Sequence, residues 1–167
     1  MIVVVMGVSG SGKTTLGRLL AKRFGCTFID ADDHHPAENV AKMAAGVPLE
    51  DADRWPWLEQ LNRLLRTRAK DAPDTVLACS ALKQAYRARL CEGIDDCRLV
   101  YLQGSIAQLR ARLAERQHRY MPASLLESQF AALEPPAEAI ILDVGEPPEH
   151  CVETVLAALG SPQARRP

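Results

Sequence analysis

Apolar runs of strand length alternate along this chain with segments whose apolar residues recur every three or four positions. "IVVVM" (2–6) is short, unbroken and β-branched, as suits a strand buried on both faces. Beyond a glycine-rich turn, Leu16, Leu19, Leu20 and Phe24 recur at helical spacing until Gly25. "CTFIDA" (26–31) reads as a second strand. Pro36 is placed to open a helix running to about Ala45, with Gly46 past its end. Leu58, Leu61 and Leu65 mark one face of a long helix near Asp53–Ala69. "TVLACSA" (75–81) predicts a third strand, Lys83–Cys91 a short helix and "RLVYLQG" (98–104) a fourth strand. Ser105 caps a helix carrying Leu109 and Leu113, which "RYMP" (119–122) breaks. A helix over Ser124–Leu133, a fifth strand in "AIILDV" (139–144) and a helix over Pro148–Leu159 complete the pattern.

Five strands alternating with helices predict an α/β fold: an open five-stranded parallel sheet with helices on both faces. One domain is expected over 1–160, with a small helical lid at approximately 112–124 and a disordered tail at 161–167. Ligands in such sheets lie beyond the carboxyl ends of the strands. The loops Gly7–Gly12, Asp30–His35 and Cys79–Lys83 are therefore the places to look for chemistry.

Composition narrows the classes. With 167 residues the chain is long enough to bury a core, and its net charge of −1 argues against a nucleic-acid-binding surface. No run approaches the roughly 18 apolar residues of a membrane span, and the apolar start is too short for a signal-peptide core. Cys26, Cys79, Cys91, Cys97 and Cys151 are odd in number and form no C-x-x-C pair. They read as free or buried thiols of a reducing cytoplasm, with no nucleic-acid or membrane partner.

"GVSGSGKT" (7–14) matches G-x-x-x-x-G-K-[ST] without a mismatch, between a strand and a helix. Its main-chain N–H groups can wrap a phosphate at the positive end of a helix dipole. Gly7, Val8, Ser9, Gly10, Ser11, Gly12, Lys13, Thr14 and Thr15 are the candidate nucleotide-binding residues, for ATP. Lys13 should reach the outer phosphates and the Thr14 hydroxyl should ligate Mg²⁺. A guanine-specific N-K-x-D is missing, and the third strand does not end in an aspartate, so the metal shell calls for another donor.

"DADDHHP" (30–36) supplies one. Adjacent His34 and His35 cannot easily converge on one ion, which disfavours a transition-metal site. Phosphoryl transfer to a hydroxyl needs a carboxylate that orients the acceptor and takes its proton. Asp32 is the candidate for that step, with Asp30 assisting Mg²⁺ and His35 beside the acceptor. Lys83 and Arg87, four apart on one helix, share a face suited to clamping a carboxylate. Arg112, Arg116 and Arg119 line one side of a helix ahead of "YMP"; Arg116 is the candidate for the transferring phosphoryl group. Trp55 and Trp57 read chiefly as core, and Cys79 as a small buried hydrophobe.

"MGVSGSGKTT", "FIDADDHHP", "KMAAGVPLEDADRWPWL", "VLACSALKQAYRARL", "LQGS" and "RYMPASLLESQFAALEPP" together resemble the small P-loop gluconokinases, from Ile2 to about Leu159. The resemblance implies a nucleoside-monophosphate-kinase-like P-loop kinase fold and a homodimer. It also implies ATP-dependent phosphorylation of D-gluconate at its 6-hydroxyl. Position by position it implies Asp32, His35, Arg54, Ser80, Lys83, Arg87 and His118 on the acceptor side, with Asp53 beside Arg54. Arg112 and Arg116 resemble lid arginines, and Met121 lies beyond them. Tyr120 departs from a family that more often has phenylalanine there. Two alternatives remain at this level: a kinase for another small hydroxy acid, such as shikimate, and a non-catalytic nucleotide-binding module. The chain has "CSALK" where a shikimate-type pocket would show a Gly-Gly-Gly turn.

Overall fold

The computed structural model describes residues 1–71, 74–115 and 123–160. Arg116, His118, most of the expected lid and the tail 161–167 lie outside the described residues. The strands are β1 (Ile2–Met6), β2 (Thr27–Asp30), β3 (Thr75–Ala78), β4 (Cys97–Gln103) and β5 (Ile140–Asp143). The helices are α1 (Lys13–Phe24), α2 (Ala37–Ala44), α3 (Asp51–Asp71), α4 (Gln84–Cys91), α5 (Ile106–Glu115), α6 (Ala123–Ala132) and α7 (Pro148–Leu159). All strand pairs are parallel, in the order β2-β3-β1-β4-β5.

The unbroken apolar run of β1 has the burial its composition predicts, because helices cover both faces of the sheet. Val3 and Val5 point into a core with Leu16, Leu20 and Phe24 of α1 and Val152 and Val155 of α7. Ile2, Val4 and Met6 point the other way, onto Leu58, Leu61 and Leu65 of α3 and Leu90 of α4. Register then sets the crevice: Val5 and Asp30 both pair with Ala78, and Met6 pairs with Tyr101. The chain leaves β1, β2 and β3 at one level, and the three following loops emerge side by side.

Helix ends follow the capping rules with small shifts. Ser105 and Gln108 cap α5 reciprocally: Gln108 N donates to Ser105 Oγ and Ser105 N donates to Gln108 Oε1. Helix α3 starts two residues before the expected Asp53, whose carboxylate reaches back to accept from Glu50 N at 2.8 Å. Pro36 stands just outside α2, and residues Ala31–His34, expected as an irregular loop, form a 3₁₀ turn.

The expectation that all five cysteines are free is corrected. Cys91, closing α4, and Cys97, opening β4, are joined in a disulfide with Cα atoms 5.8 Å apart. The turn between the two elements brings them together, and a spacing of six carries no such signal on its own. Cys26, Cys79 and Cys151 are free. A thiol titration of unfolded, unreduced protein should therefore find three reactive groups, rising to all five after reduction. Five without reduction would remove the disulfide.

Gly17, on the face of α1 turned to β2, allows a close approach. A Cβ there would stand 2.6 Å from Phe28 Cε2. Gly17→Ala forces the ring or the helix to move and should cost about 1–3 kcal/mol of stability, read as a lower denaturant midpoint.

Candidate active site

The phosphate loop runs from Gly7 into the first turn of α1. Gly10 and Gly12 have φ of +81° and +100°, a region that residues with a Cβ rarely adopt. Gly12 stands at the N-terminus of α1, which no side chain caps. Its first amides thus remain available to an anion, as the helix dipole favours. The half-buried Lys13 ammonium folds back to donate to the Val8 carbonyl at 3.1 Å. Burial lowers its pKa, while Asp32, Cys79 and Asp30 act in the opposite sense. Ser11 Oγ is buried with no hydrogen-bond partner among the described residues.

The loop after β2 packs against this cradle. Thr14 Oγ1 donates to Asp30 Oδ2 at 2.8 Å, and Asp32 N donates to Asp30 Oδ1 at 3.2 Å. Asp30 is thereby fixed between the phosphate loop and the 3₁₀ turn. Thr14 and Asp30 form an oxygen-only donor pair of the kind Mg²⁺ takes. No group of three or more His, Cys, Asp or Glu set to hold a metal occurs among the described residues.

Asp32 is exposed, and its Oδ1 lies 4.0 Å from Nε2 of His35. The His35 side chain is only 4% exposed and stacks on Trp57 with ring centroids 4.0 Å apart. Trp57 Nε1 donates to the Ala31 carbonyl at 3.0 Å, so a residue expected chiefly as core also forms one wall of this turn. Trp55 is instead exposed, edge-on to Tyr86. Buried Asn39 lies 3.4 Å from His35 Nδ1 and donates to the Asp53 carbonyl at 3.0 Å, tying α2 to the first turn of α3.

The third loop follows β3. Gly7 N donates to the Ser80 carbonyl at 3.4 Å, which sets Ser80 beside the phosphate loop. Ala81 has φ of +44°, a conformation costly for a residue with a side chain. Buried Arg87 stabilises that bend by donating from Nη1 to the carbonyls of Ala81 at 3.0 Å and Leu82 at 2.9 Å. The expected Lys83–Arg87 clamp is therefore corrected. Arg87 turns into the protein and braces the loop from behind, because the carbonyls it reaches are buried and need a donor. Burial pushes the Cys79 thiol up to about 12, which keeps it protonated and inert.

Lys83 faces outward and meets Asp51, donating from Nζ to Oδ1 at 2.8 Å and to Oδ2 at 2.9 Å. The Tyr86 hydroxyl donates to the same Oδ1. Arg54 donates to the Tyr86 oxygen at 3.4 Å and lies 3.9 Å from Asp51 Oδ1. Asp53 is absorbed by Lys42 at 2.6 Å and by Glu50 N. On the far side of the phosphate loop, Ser11, Gly12, Thr15, Arg112, Asp143 and Glu146 line a cleft together with Leu102 and Val144.

Sequence alone does not reveal three of these contributors. Asp51 has a charged neighbour in Lys83 that lies 32 positions away. Asn39 carries no motif. Gln129 of α6 accepts from Ser9 N at 2.7 Å and donates to Ser9 Oγ at 3.0 Å, across 120 residues.

Burial holds the His35 pKa below its ordinary value; Asp32 raises it and Arg54 lowers it. The unfolded chain then binds this proton more readily than the folded one. The stability contributed by neutral His35 is present above about pH 6.5 and is lost as pH falls through the folded-state value. Wild-type protein should lose more stability than His35→Gln between about pH 7 and pH 5, as read from denaturation midpoints. Parallel losses would show that His35 does not carry the effect.

Residues 2–136 match the family described as AAA domain. The gluconokinase of Gluconobacter oxydans is 47% identical over 136 residues, covering 81% of this chain and 76% of that protein. A crystal structure of a gluconokinase from Sinorhizobium meliloti superposes with a TM-score of 0.85 at 42% identity, over 94% of this chain and 90% of the other. That of a sugar kinase from Janibacter reaches a TM-score of 0.91 at 44% identity, over 98% and 96%. With likeness of this extent in both sequence and structure, the chain belongs to the gluconokinase family.

Proposed function

We propose that this enzyme transfers the terminal phosphoryl group of ATP to the 6-hydroxyl of D-gluconate, giving 6-phosphogluconate and ADP. Beside the family assignment, the observation that most supports this is the meeting of Lys13, Thr14 and Asp30, with Asp32 acting electrostatically on Lys13. A phosphate cradle and an acceptor-facing carboxylate stand at one place.

The main-chain N–H groups at the Gly12 end of the loop and in the first turn of α1, with the Lys13 ammonium, hold the phosphates. The cleft lined by Thr15, Arg112 and Val144 lies beside the first turn of α1 and receives the rest of the nucleotide. Thr14 and Asp30 would hold Mg²⁺, which when bound draws charge from the phosphoryl oxygens. Asp32 orients the acceptor hydroxyl and accepts its proton as the oxygen–phosphorus bond forms. His35, held neutral by burial, offers the acceptor a hydrogen-bonding ring instead of a charge. Ser80 joins it on the phosphate side, and Arg54 and Lys83 supply cations for the acceptor's carboxylate. The assignment of Arg116 rests on its spacing ahead of the break at 119–122 and on the resemblance, that of His118 on the resemblance. A single kinase domain with its lid and a cytoplasmic location are read from the sequence pattern and composition, and a homodimer from the resemblance. Among the described residues no helix is long and apolar enough to cross a membrane.

The test is ADP release from Mg·ATP with D-gluconate, related aldonic acids, shikimate or AMP as acceptor. A saturable rate with gluconate and none with shikimate or AMP supports the reading; activity with another acceptor alone reassigns the pocket. Asp32→Asn should lower turnover by roughly 10²- to 10⁴-fold while nucleotide affinity is kept. Undiminished turnover in that variant would remove Asp32 from the proton transfer.

A further inference from the structure

Two hydrogen-bond donors and a neighbouring guanidinium converge on one carboxylate at the mouth of the crevice. Asp51 accepts from both the Lys83 ammonium and the Tyr86 hydroxyl, with the Arg54 guanidinium at 3.9 Å. The Lys83 and Arg54 charged groups also lie over the Tyr86 ring, 5.5 Å and 5.6 Å from its centroid. An ammonium, a guanidinium and a phenol around one carboxylate form a recognition site for carboxylates in general.

Asp51 stands in the first turn of α3, where an acid suits the helix dipole. It is the first residue of α3, yet the backward-reaching cap at that helix end comes from Asp53. Its side chain is 47% exposed, and an ion pair with that much solvent contributes little to stability. Its donors, in contrast, come from fixed elements. Lys83 stands at the N-terminus of α4, directly after the loop that carries Ser80. Tyr86 is buried in the core between α3 and the sheet. Arg54 stands one residue from Asp53, whose carbonyl is tied through Asn39 to His35. The cluster therefore adjoins the acceptor loop and is built of rigid donors around a carboxylate on the solvent side.

We propose that Asp51 is an internal competitor for the carboxylate anchor of the acceptor: Lys83, Tyr86 and Arg54 bind either the Asp51 side chain or the sugar acid's carboxylate. This rests on the sugar-acid reading given above. Entry of the acceptor exchanges one carboxylate for another, so the donors are never left unpaired. The exchange weakens binding of the acid by the strength of the internal pair. A neutral polyol cannot take the place of Asp51 without leaving both cations unmatched, so it leaves the internal pair intact and gains nothing from its removal.

Steady-state kinetics with Asp51→Asn test this, with Asp51→Ser as a second variant that keeps a residue suited to a helix start. Both remove the competing charge. The expected result is a KM for D-gluconate about two- to fivefold lower, the size of an exposed ion pair's contribution. The KM for ATP should not move, and any rate with the neutral polyol D-glucitol should not gain from the substitution. A gluconate KM that is unchanged or raised in both variants, with normal wild-type turnover, overturns the competitor role and makes Asp51 a support for Lys83. An equal gain for glucitol also overturns it. A wild-type enzyme with no gluconate-dependent rate overturns the sugar-acid reading, and this inference falls with it.

Discussion

The double pairing of β1 is the constraint on which everything at the crevice depends. The strand is hydrogen-bonded to β3 on one side and β4 on the other, and both of its faces are covered. Its residues accept no polar substitution without stranding a buried group, and a slip of one position would send Val3 and Val5 to the opposite face. With register fixed, the exits of β1, β2 and β3 lie level. The phosphate loop, the Asp30 turn and the Ser80 loop are then neighbours before any side chain contributes. The Thr14–Asp30 hydrogen bond and the Gly7–Ser80 backbone contact secure an adjacency that the ladder has already created.

Around that backbone the polar residues divide by burial into two kinds. Arg87, Asn39 and Trp57 are buried, and each gives its donors to main-chain carbonyls: Ala81 and Leu82, Asp53, and Ala31. These carbonyls lie on the three segments that border the acceptor side, where an unmet acceptor would cost about 1–3 kcal/mol. Asp32, Lys83, Arg54 and Asp51 are exposed or partly so and remain available to a ligand. A buried layer fixes the shape, and a wetter layer carries the charge, as a preorganised site requires.

The same division explains what was legible in the sequence. The apolar run of β1 and the periodic leucines of α3 announce their elements because burial there follows periodicity directly. The phosphate loop is legible because glycines at positive φ and a lysine at fixed spacing leave few alternatives. Spacing placed Lys83 and Arg87 on one helical face, but Lys83 stands outside α4 as its N-cap, and spacing could not say that Arg87 lies beneath the loop and Lys83 above it. The Asp51–Lys83 pair, the Gln129–Ser9 pair and the Cys91–Cys97 bond arise from tertiary placement, and no local pattern encodes them. Asp53 shifted the start of α3 because its carboxylate reaches backward to Glu50 instead of capping the helix from in front.

The segment after residue 122 connects the two halves of the chemistry. Through Gln129, α6 grips Ser9 in the phosphate loop with a donor and an acceptor. Five residues on, Glu134 N donates to the Leu82 carbonyl at 3.0 Å, and its carboxylate accepts from Gln84 N at 2.6 Å, capping α4. Helix α4 has no side-chain cap of its own at Lys83, so this acid supplies what its N-terminus needs. One continuous stretch thus holds the nucleotide loop and the acceptor helix together. A displacement of α6 that loosened Gln129 from Ser9 would also pull at the turn that orients Lys83. The phosphate loop and the N-terminus of α4 are thus joined by one brace of hydrogen bonds that runs through Gln129 and Glu134.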